Sequence, residues 1–189
     1  MRIIAGKYKA KKLVAPEGKT TRPTSDRVRE AVFDVLESYL RKQTIGWADV
    51  TVLDAFAGTG ALGLEALSRG ALSLTAAEKD PAATACFWQN ADVFVKSGLS
   101  IHLFADALNP PQAQGPVTFL FMDPPYDKGL VAPALDALSR QGWIDENTLC
   151  VIETEHREKN IFPDSFYAFD KRSYGKASVF FLRMKEKGL

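Results

Sequence analysis

Four acids stand at the ends of apolar runs, each followed by turn-forming sequence: Asp54, Glu78, Asp106 and Asp123. Asp54 opens the stretch Asp54-Ala-Phe56-Ala-Gly58-Thr-Gly60-Ala-Leu-Gly63. Its glycines permit a sharp turn and let backbone approach a ligand closely. The helix starting behind them offers unpaired N–H groups. Gly58-x-Gly60-x-x-Gly63 is also the dinucleotide fingerprint, which alone does not name the ligand. Glu78 lies 20 positions after Gly58, the spacing of an acid that accepts hydrogen bonds from ribose hydroxyls. A solvated acid beside Lys79 is the plainer alternative. Asp106 suits an adenine amino group or a cap on its own turn. Asp123-Pro124-Pro125-Tyr126 joins an acceptor to two residues that lack N–H donors and fix φ. An aspartate, a rigid carbonyl and an adjacent aromatic face suit a planar group bearing an exocyclic amine, which they would orient toward an electrophile. A strand-to-loop turn with a packed tyrosine would show the same residues.

These acids need a scaffold that brings them to one edge, and the alternation of elements predicts one. The apolar run at Val50–Leu53 is a strand, and a helix follows from Leu62 to Arg69, stopped by Gly70. A strand over Leu72–Ala77 leads to Asp80-Pro81, an N-cap with proline at the first helical position. That helix runs to about Lys96 and ends at Ser97-Gly98. Strands follow at Ile101–Ala105, Val117–Met122 and Leu149–Ile152, with a helix marked by Leu130, Leu135 and Leu138. The run Val117–Met122 is continuous enough for a central parallel strand. Phe166–Ser173 and Ala177–Arg183 flank Gly175-Lys176 as a terminal hairpin. The fold expected is α/β and Rossmann-like: a mostly parallel sheet with helices on both faces, closed by a C-terminal antiparallel hairpin. Ligands of such sheets bind outside the carboxyl ends of the strands.

The 189 residues, 46% hydrophobic, suit one globular core, and the net charge of +1 hides an asymmetry. Residues 1–29 hold nine Lys/Arg and two acids, a net +7 against −6 for the remainder. Residues 1–15 alternate apolar and basic positions around Gly6, as a β-ribbon does. Arg22-Pro-Thr24-Ser25-Asp26 reads as a helix entrance with Thr24 or Ser25 as N-cap. Val28, Val32, Val35, Leu36, Tyr39 and Leu40 follow at helical spacing. Arg27 and Arg29 stand in the first turn, where the helix dipole disfavours cations, so an external anion is their more natural partner, although ordinary solvated arginines would look the same. A basic arm on an acidic body points to a polyanion; a solvated ribbon without a ligand has the same composition. Cys86 and Cys150 form no Cys-x-x-Cys, and with two histidines no zinc cluster is expected. No segment reads as a signal peptide or membrane span. The expectation is a reduced, cytoplasmic protein with no membrane partner.

Asp54-Ala-Phe-Ala-Gly-Thr-Gly, Glu78 and Asp123-Pro-Pro-Tyr together resemble class I S-adenosylmethionine-dependent methyltransferases that act on exocyclic amines. Arg2-Ile-Ile-Ala-Gly, Lys12-Leu13, Arg22-Pro-Thr-Ser-Asp-Arg-Val-Arg-Glu30, Tyr174-Gly175 and Val179-Phe-Phe-Leu182 narrow the resemblance to the RsmD family, over essentially the whole chain. Those enzymes methylate guanine N2 in small-subunit ribosomal RNA. The resemblance implies a seven-stranded sheet and S-adenosyl-L-methionine as cofactor. Asp54, Phe56, Gly58, Gly60, Glu78, Lys79, Asp106 and Ala107 would form its site. Asp123, Pro124 and Tyr126 would hold a flipped guanine and form the catalytic set, with no metal. Residues 1–23 would be an RNA-binding arm and 24–189 the methyltransferase domain, and Arg2, Lys7, Lys9, Lys11, Lys12, Arg22, Arg27 and Arg29 would contact RNA. The implied partner is ribosomal RNA or a small-subunit assembly particle, met by a monomer. Alternatives are a methyltransferase for DNA adenine N6 or a protein amide, a nicotinamide-dependent oxidoreductase, and a non-catalytic RNA-binding assembly factor.

Overall fold

The alternation of strands and helices takes shape in a computed structural model, which describes residues 1–16, 26–126, 128–155 and 162–186. Along the chain come α1 (Asp26–Gln43), a 3-10 turn (Trp47–Asp49), β1 (Thr51–Asp54), α2 (Ala61–Arg69), β2 (Ser73–Ala77) and α3 (Pro81–Lys96). These are followed by β3 (Ser100–Phe104), β4 (Phe119–Met122), α4 (Val131–Arg140), β5 (Leu149–Glu155), β6 (Phe166–Tyr174) and β7 (Ala177–Met184). One seven-stranded sheet has the order β3-β2-β1-β4-β5-β7-β6. The first five strands are parallel, and β7 runs antiparallel between β5 and β6. The chain moves outward from β1 to β3 and returns to place β4 on the other side of β1. Such a reversal opens a crevice at the carboxyl ends of the two strands.

Local chemistry sets the boundaries. Asp80 caps α3, its Oδ1 accepting from the N–H groups of Ala82 at 2.9 Å and Ala83 at 3.0 Å, with Pro81 in the first turn as the sequence predicts. All four residues of β4 are buried, which explains its uninterrupted apolar run: helices cover both faces. That strand is shorter than the sequence expectation, because the Val117 N–H donates to the Trp143 carbonyl at 3.0 Å before the ladder begins. Conversely, β5 runs past Ile152 because β7 continues to pair with it as far as Glu155 opposite Ala177.

The sheet separates two apolar clusters. On one face Phe33, Leu36, Leu64, Phe87, Phe121 and Phe181 pack beneath α1, α2 and α3. On the other, Leu53, Leu120, Met122 and Cys150 meet Leu135 and Leu138 of α4. The N-terminal ribbon belongs to the first cluster. Arg2 and Lys12 form an antiparallel bridge, the Ile3 N–H donates to the Lys11 carbonyl at 2.9 Å and the Leu13 N–H to that of Met1 at 3.1 Å. Ile3 and Leu13 are buried, so the alternation seen in the sequence is apolar inward and basic outward. Gly6, at φ +79°, rests so closely on α2 that a Cβ there would lie 1.8 Å from the Ser68 carbonyl oxygen. Only glycine fits that contact. The expected junction between residues 23 and 24, the Thr24 or Ser25 cap and Arg22 all lie outside the described residues.

Candidate active site

Four parallel strands deliver the four acids to one place. Asp54 is the last residue of β1, Glu78 the first beyond β2, Asp106 the second beyond β3 and Asp123 the first beyond β4. All four line a single cavity of about 630 Å³. Phe56, Gly58, Lys79 and Ala107 line its one side, and Pro124 and Tyr126 the other.

The glycine turn is held by carboxylates. Glu78 Oε2 accepts the Gly58 N–H at 2.9 Å, and its Oε1 accepts that of Asp80 at 2.7 Å. Each oxygen keeps a second lone pair for an incoming hydroxyl. Gly58, at φ +54°, has open space where a Cβ would stand, so the turn presents a bare backbone concavity to the cavity. Gly60 is not among the lining residues; at φ +82° it sits against Phe87, whose Cδ2 would be 2.8 Å from a Cβ. Its contribution is the shape of the turn. Asp54 is 2% exposed, and its Oδ2 accepts the Gly63 N–H at 3.0 Å, in the first turn of α2. Its pKa is pushed up to about 7, by burial first and also by the nearby Glu78 charge, against the opposing N–H groups of Gly63 and Phe56.

Asp106 spends its oxygens on its own turn: Oδ1 accepts the Leu108 N–H at 3.0 Å and Oδ2 an Asn109 amide hydrogen at 3.3 Å. It acts as the local cap that was one of its two sequence readings, and through it shapes the segment that carries Ala107. Across the cavity, Pro124 is buried, while Asp123 and Tyr126 are half-buried. The Tyr126 hydroxyl donates to Glu153 Oε1 at 3.2 Å. Glu153, 8% exposed, lies at the carboxyl half of β5 and was not singled out in the sequence; its signal was an acid interrupting an apolar strand beside the Asp-Pro-Pro-Tyr turn.

The expected RNA-contacting cations divide. Arg2, Lys7, Lys9, Lys12 and Arg27 are exposed and Lys11 half-buried. Arg29 is a correction: it is 0% exposed, and its Nη2 donates to the Arg2 carbonyl and to Asp26 Oδ1, each at 2.7 Å. Burial lowers its pKa, with Asp26 and Glu65 opposing. It ties the ribbon to α1 and offers no cation to solvent.

The ribbon enters the cavity wall, which the sequence did not reveal: Met1 and Pro16 line it alongside the glycine turn. Buried polar groups hold the ribbon there. Glu65 Oε2 and Oε1 accept the N–H groups of Ile4 and Ala5 at 2.6 and 3.0 Å, and Ser68 Oγ accepts that of Tyr8 at 3.0 Å. Both are polar residues on the apolar face of α2, a pattern that marks them as partnered rather than solvated.

What fits such a site is a nucleoside-bearing cation. The remaining lone pairs of Glu78, the bare turn and the surrounding carboxylates suit S-adenosylmethionine, which carries a sulfonium and an ammonium. The comparisons agree. The family model described as conserved hypothetical protein 95 matches residues 1–183. Ribosomal RNA small subunit methyltransferase D of Escherichia coli (strain K12) is 32% identical over 194 residues, covering 95% of this chain and 94% of that protein. The Haemophilus influenzae protein of the same name is 32% identical, with 94% and 91% covered. Among solved structures, Escherichia coli yhhF superposes with a TM-score of 0.81 at 30% identity over 99% of both chains. A hypothetical protein of Thermus thermophilus gives 0.75 at 28% identity, covering 96% of this chain and 98% of that one. These matches span nearly the full length of both partners, and this chain belongs to the RsmD family of methyltransferases.

Proposed function

We propose that this protein transfers a methyl group from S-adenosylmethionine to the exocyclic N2 amine of a guanine in small-subunit (16S) ribosomal RNA. The observation that carries the reading is the meeting of two different walls at one cavity. One is a glycine turn held by Glu78; the other is an Asp-Pro-Pro-Tyr turn. The first suits a nucleoside and the second an aromatic amine.

When bound, the donor supplies an electrophilic methyl on sulfur. The chain's residues do the rest. Glu78 accepts from the ribose hydroxyls with the lone pairs that Gly58 and Asp80 leave. Asp54 faces the donor's amino-acid end. Asp123 and the Pro124 carbonyl accept the two amine hydrogens, turning the nitrogen lone pair toward the methyl, and Tyr126 stacks on the base. With the donor bound, the nitrogen would take the methyl as the C–S bond breaks, leaving the thioether, and the proton lost by the amine would pass to Asp123 or to water. The basic arm, residues 1–23, contacts phosphates of ribosomal RNA or of a small-subunit assembly particle through Arg2, Lys7, Lys9, Lys11 and Lys12, with Arg27 at the start of α1. The domain of residues 24–189 acts as a monomer in the cytoplasm.

The test is transfer of labelled methyl to unmethylated small-subunit RNA and to unmethylated small subunits, followed by mapping of the modified nucleotide. Label on guanine N2 is the expected result. Label on adenine or on protein overturns the substrate, and no transfer with either RNA form overturns the activity.

A further inference from the structure

One buried amide joins the basic arm to the glycine turn. Asn90, in α3, is 1% exposed. Its Oδ1 accepts the Val14 N–H at 2.8 Å, and its Nδ2 donates to the Val14 carbonyl at 2.9 Å. The remaining Nδ2 hydrogen goes to the Thr59 carbonyl at 3.0 Å. Asn90 thus pairs with Val14 as a neighbouring strand would, and in the same act holds the peptide between Gly58 and Gly60. Val14 stands two residues before Pro16, and the residue before it, Leu13, donates to the Met1 carbonyl. Met1 and Pro16 are the arm's contributions to the cavity wall, beside Thr59, Gly58 and Glu78. A ligand filling the cavity therefore touches the arm and the turn together only while this amide holds both.

We propose that Asn90 is a positioning residue that couples donor binding in the cavity to RNA binding on the arm. The inference rests on the methyl-transfer reading above. The two states are an arm docked through Val14 and an arm released at its 13–16 end. The donor meets its complete wall only in the docked state, and RNA bound on Lys12, two residues before Val14, and on Arg2 opposite it favours that same state. Each ligand therefore shifts the balance toward the form the other prefers. Such coupling is reciprocal, so each must raise the other's affinity by one common factor.

The experiment measures that factor in the full-length chain. S-adenosylhomocysteine affinity is determined by calorimetry with and without unmethylated small-subunit RNA, and RNA affinity with and without S-adenosylhomocysteine. The parent should show a factor of about fivefold or more, equal in both directions. Asn90→Asp keeps the acceptor for the Val14 N–H but removes both donations. Val14→Pro removes the arm's donor and leaves the bond between Asn90 and Thr59 in place; the Val14 side chain is 42% exposed, so its loss empties no core space. Both variants should bring the factor close to one. A merely structural role for Asn90 would lower the melting temperature or both affinities while leaving their ratio unchanged. A parent factor of one, or variants that melt as folded proteins and keep the parent factor, would overturn the coupling while leaving the methyl-transfer reading intact. Failure of the parent to bind S-adenosylhomocysteine would instead overturn that reading, and the coupling with it.

Discussion

The two walls of the cavity are stiffened by opposite means. The donor wall is a glycine turn whose N–H groups are collected by side chains, Gly58 by Glu78 and Gly63 by Asp54. The acceptor wall carries Pro124 and Pro125, which have no N–H to collect and whose φ angles the rings fix. The first wall uses its acids twice, for its own shape and for its ligand. In the second, the proline rings provide the shape. Damage should therefore spread differently: an acid lost from the donor wall disturbs binding and backbone together, while the proline-fixed backbone of the acceptor wall keeps its shape when an acid beside it is replaced.

The largest expected effect breaks the comparison on the acceptor side. Asp123→Ala should slow single-turnover methyl transfer by about 100-fold or more, in the range of losing one preorganised electrostatic group. S-adenosylhomocysteine and RNA affinities should stay near the parent values. A folded variant that transfers methyl at the parent rate would remove Asp123 from the amine site. On the donor side, Glu78→Ala removes the partner of the Gly58 and Asp80 N–H groups as well as the ribose acceptor. Donor affinity should fall by roughly 1–3 kcal/mol, read by calorimetry, and single-turnover rate at saturating donor should change little.

Asp54 sharpens the contrast through pH. Its pKa in the folded chain is raised to about 7 by burial, whereas an unfolded aspartate titrates near roughly 4. The folded state thus binds the extra proton between these values, and its stability declines as pH rises through that window. A donor bearing positive charge favours the ionised carboxylate, so binding below about pH 7 should expel a proton. S-adenosylmethionine affinity should therefore rise from about pH 6 to about pH 8 and level off above. Calorimetry in buffers of different ionisation heat should show proton release near the acid end of that range, and the release should disappear in Asp54→Asn. Equal proton release in that variant would place the titration elsewhere.

Much of this was legible because the motifs are local. Asp54 ends its strand and Glu78 and Asp123 directly follow theirs, and the parallel register alone carries them to one edge. The arm's alternation was equally plain. What sequence spacing could not convey were partners distant along the chain. Glu65 and Asn90 lie 60 or more residues from the backbone groups they hold in the arm, and Arg29 looks like any first-turn cation until Asp26 and the Arg2 carbonyl close around it. Periodicity marks a residue as inward-facing, but only packing shows that a polar one there has been recruited to hold a neighbouring segment.

The smallest effect concerns the tyrosine of the acceptor wall. If Tyr126 served only as a ring face, Tyr126→Phe would be silent. Its hydroxyl, however, donates to a nearly buried carboxylate of the next strand, and that bond anchors the outer end of the ring. Removing it should cost about 1 kcal/mol of ring positioning, less than a short, fully buried hydrogen bond to a charged group would, because the contact is long at 3.2 Å and the ring half-buried. With the base stacked on the ring in ground and transition states alike, as proposed, the loss should appear as a several-fold weaker RNA affinity with a nearly unchanged single-turnover rate at saturating RNA. Tyr126→Ala loses the stacking face itself and should weaken RNA binding further, by roughly 1–3 kcal/mol. Glu153→Gln retains an acceptor and should stay close to the parent, whereas Glu153→Leu should match Tyr126→Phe, and combining these two should add nothing. Additive losses in the double variant would mean that Glu153 acts on the site by another route than the Tyr126 hydroxyl.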